Sequence, residues 1–289
     1  MSPWAGPAAV VAVLAAAVLH ATWNALVKGS GDQIGIMARS SLVGAAASLV
    51  AVWFVDLPAR ASWGFLIASV VIHVFYNLGL LAAYRLGDFN QTYPLARGLG
   101  PVVVAVFAAL VLHEPLAPLP AIGVLVIAAA IGVLGLTPWR KVRANRPAVL
   151  AAVFTGLTIA TYTLVDGVGV RRSEGAAGYT LWLCGLEFAV TALIAAALRK
   201  RVATPILSAG GRAWLASAAV TVMATAAYGL VLWAQTQGAL AAVAALRESS
   251  VVVAAVIGMI AFKEPMGRLR VAASVAVAVG VALLALPAA

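Results

Sequence analysis

His113-Glu114-Pro115-Leu116 returns 150 residues later as Lys263-Glu264-Pro265-Met266, and that recurrence decides the architecture. Going back from it without a gap, Arg97 meets Arg247, Val102-Val103 meets Val252-Val253, Ala105-Val106 meets Ala255-Val256, and Gly79-Leu80 meets Gly229-Leu230. Near the starts of the two halves, Ala21-Thr22-Trp23 resembles Ala160-Thr161-Tyr162. With one gap, Leu26-Val27-Lys28-Gly29 then matches Leu164-Val165-Asp166-Gly167. Valine and alanine matches are cheap in this composition, whereas a paired Arg and a paired Glu-Pro are not. The chain reads as a duplication, with residues 1–140 as the first repeat and 141–289 as the second.

Composition says what has been duplicated. Of 289 residues, 64% are apolar and only 10% charged, and the mean hydropathy is +1.06. A soluble domain is roughly 45–50% apolar and about 25% charged. This chain lacks the polar surface for that, which excludes a soluble enzyme, a disordered chain and a nucleic-acid-binding module. The net charge of +10 is read as cations flanking membrane spans. One cysteine, Cys184, excludes an internal disulfide framework, and His20, His73 and His113 show no metal-ligand spacing. No metal and no cofactor are expected. The sequence has no Walker loop, no His-Glu-x-x-His and no Gly-x-Ser-x-Gly, so it reads as neither an enzyme nor an ATP-driven pump.

A spanning helix needs about 20 mainly apolar residues. Ten such runs lie between short polar breaks: 7–27, 35–55, 64–84, 90–112, 117–137, 147–167, 176–198, 213–235, 239–262 and 269–287. The first has no Lys or Arg before Lys28, unlike a signal peptide, and is read as a mature helix. Five spans per repeat is an odd number, so the second copy enters the membrane in the opposite sense. The expected fold is therefore an all-α integral membrane protein, with ten transmembrane helices in two inverted five-helix repeats. The odd-numbered connectors carry 13 Lys and Arg and the even-numbered side only three, Arg60, Arg171 and Arg172. The positive-inside rule then puts the odd connectors in the cytoplasm and both termini outside the cell's inner (plasma) membrane.

Ala83-Tyr84-Arg85-Leu86-Gly87-Asp88, then Tyr93-Pro94-Leu95-Ala96-Arg97-Gly98 and Pro101, ending in Glu114-Pro115-Leu116, resembles the EamA repeat of the drug/metabolite transporter superfamily. Leu246-Arg247-Glu248-Ser249-Ser250 through Phe262-Lys263-Glu264-Pro265 is similar to its second copy, and the opening His20-Ala21-Thr22-Trp23-Asn24 also fits. The resemblance implies ten helices around a central cavity and ATP-independent movement of small metabolites, often amino acids.

Ionisable side chains inside spans mark candidate sites, because placing one in a membrane costs about 2.5–3.5 kcal/mol on insertion scales. Arg97 and Arg247 are repeat mates, and a guanidinium fork matches carboxylate or phosphonate oxygens. They form either an anion clamp or ion pairs with Glu248 and Glu187 that only join helices. Glu248 is the first proton-coupling candidate. Glu187 is the second, since its helix is less expected to face a cavity. His20 and Asn24 share a face of span 1 with Trp23 beside them, and span 3 offers His73, Tyr76 and Asn77. Tyr93, Tyr162 and Tyr228 complete the substrate-binding set. Pro94 and Pro101 are expected to distort span 4 around Arg97. Asp166 falls at the end of span 6, where a polar residue needs less explanation. Spans 5 and 10 carry small residues suited to close helix packing, compatible with a homodimer.

The expected function is alternating-access transport, in the direction of export, of a small polar, carboxylate-bearing metabolite such as an amino acid, with protons as the candidate coupling ion. Multidrug efflux of organic cations and a non-transporting scaffold subunit are the alternatives. The expected partners are a small-molecule substrate and the lipid bilayer.

Overall fold

The computed structural model describes residues 6–86, 89–114, 116–136, 145–198, 206, 209–261, 263 and 267–285. Eleven α-helices lie among them: α1 Pro7–Gly29, α2 Gln33–Ala51, α3 Arg60–Leu86, α4 Phe89–Leu110, α5 Pro118–Leu136, α6 Arg146–Arg171, α7 Ala176–Leu198, α8 Gly211–Gln237, α9 Leu240–Arg247, α10 Ser250–Ala261 and α11 Arg268–Ala285. They follow the ten apolar runs, with the ninth divided between α9 and α10. Their starts carry ordinary helix signals. Pro7 opens α1, where its missing N–H costs nothing. Asp32 caps α2 by accepting from the Gly35 N–H at 2.9 Å, and Asn145 caps α6 by accepting from the Ala148 N–H at 3.3 Å.

Seven of the helical segments are long and apolar enough to cross a membrane, and three shorter apolar ones, Leu95–Leu110, Pro118–Leu134 and Val271–Leu284, fall in spans 4, 5 and 10. The distribution of side chains is that of a membrane protein. Leu49, Leu110, Leu150 and Leu215 lie about 70% exposed, while Asp166 is fully buried and Arg39, Arg97, Arg247 and Glu248 are nearly so. Apolar groups facing outward and charges facing inward suit a lipid surround.

The packing pairs have counterparts. The third span, α3, lies along α6, the first of the second half; α1 likewise lies along α8, the third of the second half. α4 packs on α6, and the divided ninth span, α9 with α10, packs on α1. α2 meets α7, and α5 meets α11. His113, after α4, and Lys263, after α10, both adopt left-handed backbone, with φ of 53° and 52°. That conformation is uncommon for residues other than glycine, and here it recurs at positions 150 apart.

Prolines 94 and 101 do not interrupt span 4, because α4 runs through both. The interruption lies in span 9, where no proline stands. There the backbone bonds tighten to three-residue spacing: Glu248 N–H donates to the Ala245 carbonyl at 3.0 Å, Ser249 to Leu246 at 3.1 Å, and Val251 to Glu248 at 3.0 Å. Every residue from 238 to 250 is buried, so neighbouring helices, not local sequence, hold this tightened turn. Such a stretch inside a helix is a recognised hinge geometry.

The small residues of α5 and α11 serve a contact within the chain. A Cβ on Gly123 would stand 2.8 Å from the Gly280 carbonyl oxygen, and one on Gly280 the same distance from the Gly123 oxygen. Gly280→Leu is expected to lower stability by about 1–3 kcal/mol through overpacking, seen as a lower thermal midpoint of the purified protein. An unchanged midpoint would show that these helices can part freely.

Candidate functional site

Side chains from α1, α2, α3, α6, α7, α8 and α9 enclose a cavity of about 160 Å³. Its wall is aromatic on one side. The His73 ring stacks on Tyr162 at 4.2 Å between centroids. Tyr76 meets Tyr162 edge-on at 5.6 Å, and Tyr228 meets His73 edge-on at 6.0 Å. On α1, His20 and Trp23 face one another edge-on at 5.1 Å. The buried Trp23 indole N–H has no hydrogen-bond partner among the described residues, although an indole N–H usually finds one when buried.

The charged groups are placed unequally. Arg97 sits on α4 and engages Glu248 at the break after α9, with Nε 2.9 Å from Oε2 and Nη2 2.8 Å from Oε1. Both residues are at least nine-tenths buried. Two helices from opposite halves of the chain are thus tied by a pair whose every charge lies out of water. Arg247, the next residue back, turns to the cavity. Its Nη2 donates to the Tyr162 hydroxyl at 2.9 Å, and its guanidinium carbon stands 5.8 Å from that ring's centre. Among the described residues no carboxylate oxygen lies in ion-pair contact with Arg247.

Glu187 on α7 lines the same cavity, with Oε2 4.0 Å from His73 Nε2. His73 Nδ1 donates to the Ser69 carbonyl at 2.9 Å. A carbonyl has no proton to give, so Nδ1 bears the hydrogen and Nε2 faces the acid.

The structure therefore sorts the sequence candidates. Arg247, His20, Trp23, Tyr76, Asn77, Tyr162, Tyr228 and Glu187 share one cavity. Arg97 and Glu248 hold each other beside it. Asn24 donates to the carbonyl of His20 on its own helix at 2.7 Å. The side chains of Tyr93 and Pro94 lie outside the described residues. The threonines largely bond their own helices, as with Thr155 to Ala151 at 2.7 Å and Thr158 to Thr155 at 2.8 Å. Thr221 is different: it also donates across to the Ser40 carbonyl of α2 at 2.8 Å.

Two features stand out that the sequence reading passed over. Asp166, placed at a span end, is fully buried, and its carboxylate accepts the hydroxyls of Tyr179 at 3.0 Å and of Tyr228. At the far end of α6, Arg171 donates to Glu114, to the Gln235 carbonyl at 2.7 Å and to the Gly238 carbonyl. The end of α4, the end of α6 and the turn between α8 and α9 are joined there.

The chain's residues 146–286 match the model of the EamA-like transporter family. A solved structure, described as the crystal structure of a protein, is similar over 97% of this chain and 97% of its own, with a TM-score of 0.74 and 18% identity. At that identity the likeness is one of fold. No curated protein matches the chain in sequence.

Proposed function

From a chain that belongs to the EamA-like transporter family through residues 146–286, and is thereby a multi-pass membrane transporter of the drug/metabolite superfamily, we propose a secondary exporter of small carboxylate-bearing metabolites, of which amino acids are the model case. The carrying observation is Arg247: a buried guanidinium in a cavity wall, in ion-pair contact with no carboxylate among the described residues. An unpaired buried charge is costly, and a carboxylate entering the cavity supplies the missing partner through a bidentate pair. Glu187 and the tyrosine faces in the same wall suit an ammonium group. A zwitterion satisfies both ends. An organic cation would use Glu187 and the rings but meet Arg247 as a repulsive charge.

The corresponding packing pairs and the matching left-handed residues at 113 and 263 support two inverted repeats, 1–140 and 141–289, that exchange conformations about the cavity. The lining residues of α1, α2 and α3 lie toward the ends nearest Lys28, Gln33 and Arg85. The Arg171–Glu114 junction lies at the opposite ends of α4 and α6, as a latch closing that side. Odd connectors in the cytoplasm would make this the inward-facing state of an inner-membrane protein.

Cys184, the chain's one cysteine, lines the cavity and can report the latch. In inside-out vesicles, which present the odd connectors, an impermeant maleimide is expected to label wild type. In right-side-out vesicles labelling is expected to rise severalfold in Arg171→Gln. Equal labelling of wild type and variant there would remove the latch from the account.

The substrate class is tested by thermal shift of the purified protein with amino acids, organic acids, phosphonates and cationic dyes. A ligand of the native state raises apparent stability by mass action. Stabilisation by carboxylates, lost in Arg247→Gln, is the expected result. Stabilisation by cationic dyes alone would replace the proposal with organic-cation efflux.

A further inference from the structure

Asp166 is the most deeply buried acid among the described residues, at 0% exposure, and the transport reading gives it no work. It stands one turn beyond Tyr162 on the same face of α6. Its carboxylate accepts Tyr179 from α7 through Oδ1 at 3.0 Å and Tyr228 from α8 through Oδ2. No Lys, Arg or His nitrogen forms an ion pair with it among the described residues. From α3, His73 acts on it electrostatically and the Ser69 hydroxyl is within its reach. From α7, Cys184 also feels its charge. The charged groups of α4 and α9 face elsewhere, Arg97 to Glu248 and Arg247 to Tyr162.

We propose that Asp166 is the proton-binding group of this transporter and that Tyr228 carries its protonation state to the cavity. The proposal rests on the transport reading above. Glu248 is poorly placed for the part, since both its oxygens are engaged by the Arg97 guanidinium. Asp166 has no such guanidinium partner among the described residues; neutral hydroxyls, those of Tyr179 and Tyr228 and of Ser69, hydrogen-bond its carboxylate.

The hydrogen-bond directions give the mechanism. Ionised Asp166 can only accept, so both phenols must donate to it. When a proton binds Oδ2, that oxygen becomes a donor and the Tyr228 hydroxyl must turn, either to accept that proton or to donate into the cavity. Tyr228 lines the cavity and its ring meets His73 and Tyr162, and Tyr162 accepts from Arg247. A substrate carboxylate drawn to Arg247 therefore meets a wall whose donors depend on the proton at Asp166. One proton enters Asp166 from cavity water by way of the Tyr228 hydroxyl and leaves by the same group. No other bond is made or broken.

Two readouts test this. In proteoliposomes, accumulation of a mixture of radiolabelled protein amino acids is driven by a pH gradient and compared with counterflow of the same mixture. One pH unit is worth roughly tenfold in concentration for one proton per substrate. Wild type should approach that gain. Asp166→Asn should lose it, so that its ratio of gradient-driven accumulation to counterflow falls about tenfold below that of wild type. Counterflow without gradient-driven accumulation in wild type, or gradient-driven accumulation that survives in Asp166→Asn, overturns the proposal. Absence of every flux in wild type would instead count against the transport reading. The proton site is then judged by infrared difference spectra of the purified wild-type protein across pH. These should show the carbonyl stretch of a buried carboxylic acid that Asp166→Asn removes and Glu248→Gln retains. A band that survives Asp166→Asn overturns the proposal on its own. If Asp166→Asn does not fold, Tyr179→Phe serves, because it removes a hydrogen bond that stabilises the ionised carboxylate more than the neutral acid. The band's midpoint should move to higher pH, and an unmoved midpoint overturns the assignment.

Discussion

Glu248→Gln is expected to destabilise the protein by about 3–5 kcal/mol, because it leaves the Arg97 guanidinium as a buried charge without its carboxylate. The pair is at least nine-tenths buried on both sides and joins α4 to the break after α9. Arg97→Gln should cost a similar amount by stranding Glu248. The double replacement Arg97→Met with Glu248→Leu should recover most of the loss, since apolar residues of similar volume often substitute for a buried pair at little cost. Unfolding in mixed detergent micelles reads all four proteins. Additive losses in the double variant would mean that the two residues act separately. The same cycle bears on function: recovered stability with lost transport would show that the break after α9 needs the ion pair in order to move.

Arg247→Gln should act differently, on ligand rather than on fold. Removing one partner of a buried, hydrogen-bonded charge pair typically costs about 2–5 kcal/mol of binding, or roughly thirtyfold to several thousandfold in Kd. Because Arg247 is in ion-pair contact with no protein carboxylate among the described residues, the ligand-free protein should gain stability or stay level on losing it. Arg247→Lys should keep the charge but lose the planar fork, and fall between. Titration calorimetry with a stabilising amino acid and with its amide, which lacks the carboxylate, separates the cases. The amide should bind weakly to wild type and Arg247→Gln alike. Equal affinity of the acid for both proteins would remove Arg247 from the site.

The positions of the membrane helices were legible because long apolar runs between charged breaks have no soluble alternative. The run 90–112 becomes α4 and the run 269–287 becomes α11 with ends shifted by a few residues. The break in span 9 was not legible. Residues 239–250 contain no Gly or Pro, and the turn is held by burial on all sides together with the Arg97 ion pair. The two prolines expected to distort span 4 lie in a helix that continues through them. Asp166 was misjudged through an error of a few residues. A span ending at 167 leaves it at an interface, whereas α6 continues to Arg171 and carries it fully inside. Its spacing of four from Tyr162 was the available signal. Glu187 was ranked low because nothing in one sequence shows which face of α7 meets α2 and α8. The arginine pair was found by repeat comparison, yet repeat mates need not share a role: one neutralises Glu248 and the other lines the cavity.

The most direct test of the central claim is counterflow of radiolabelled amino acids in proteoliposomes holding wild type, Arg247→Gln and Arg247→Lys in equal folded amounts. Wild type should exchange at least one amino acid, Arg247→Gln should fall to the rate of empty vesicles, and Arg247→Lys should lie between. Full exchange by Arg247→Gln, or none by wild type for any solute that stabilises it, would contradict the claim that this cavity carries carboxylates across the membrane.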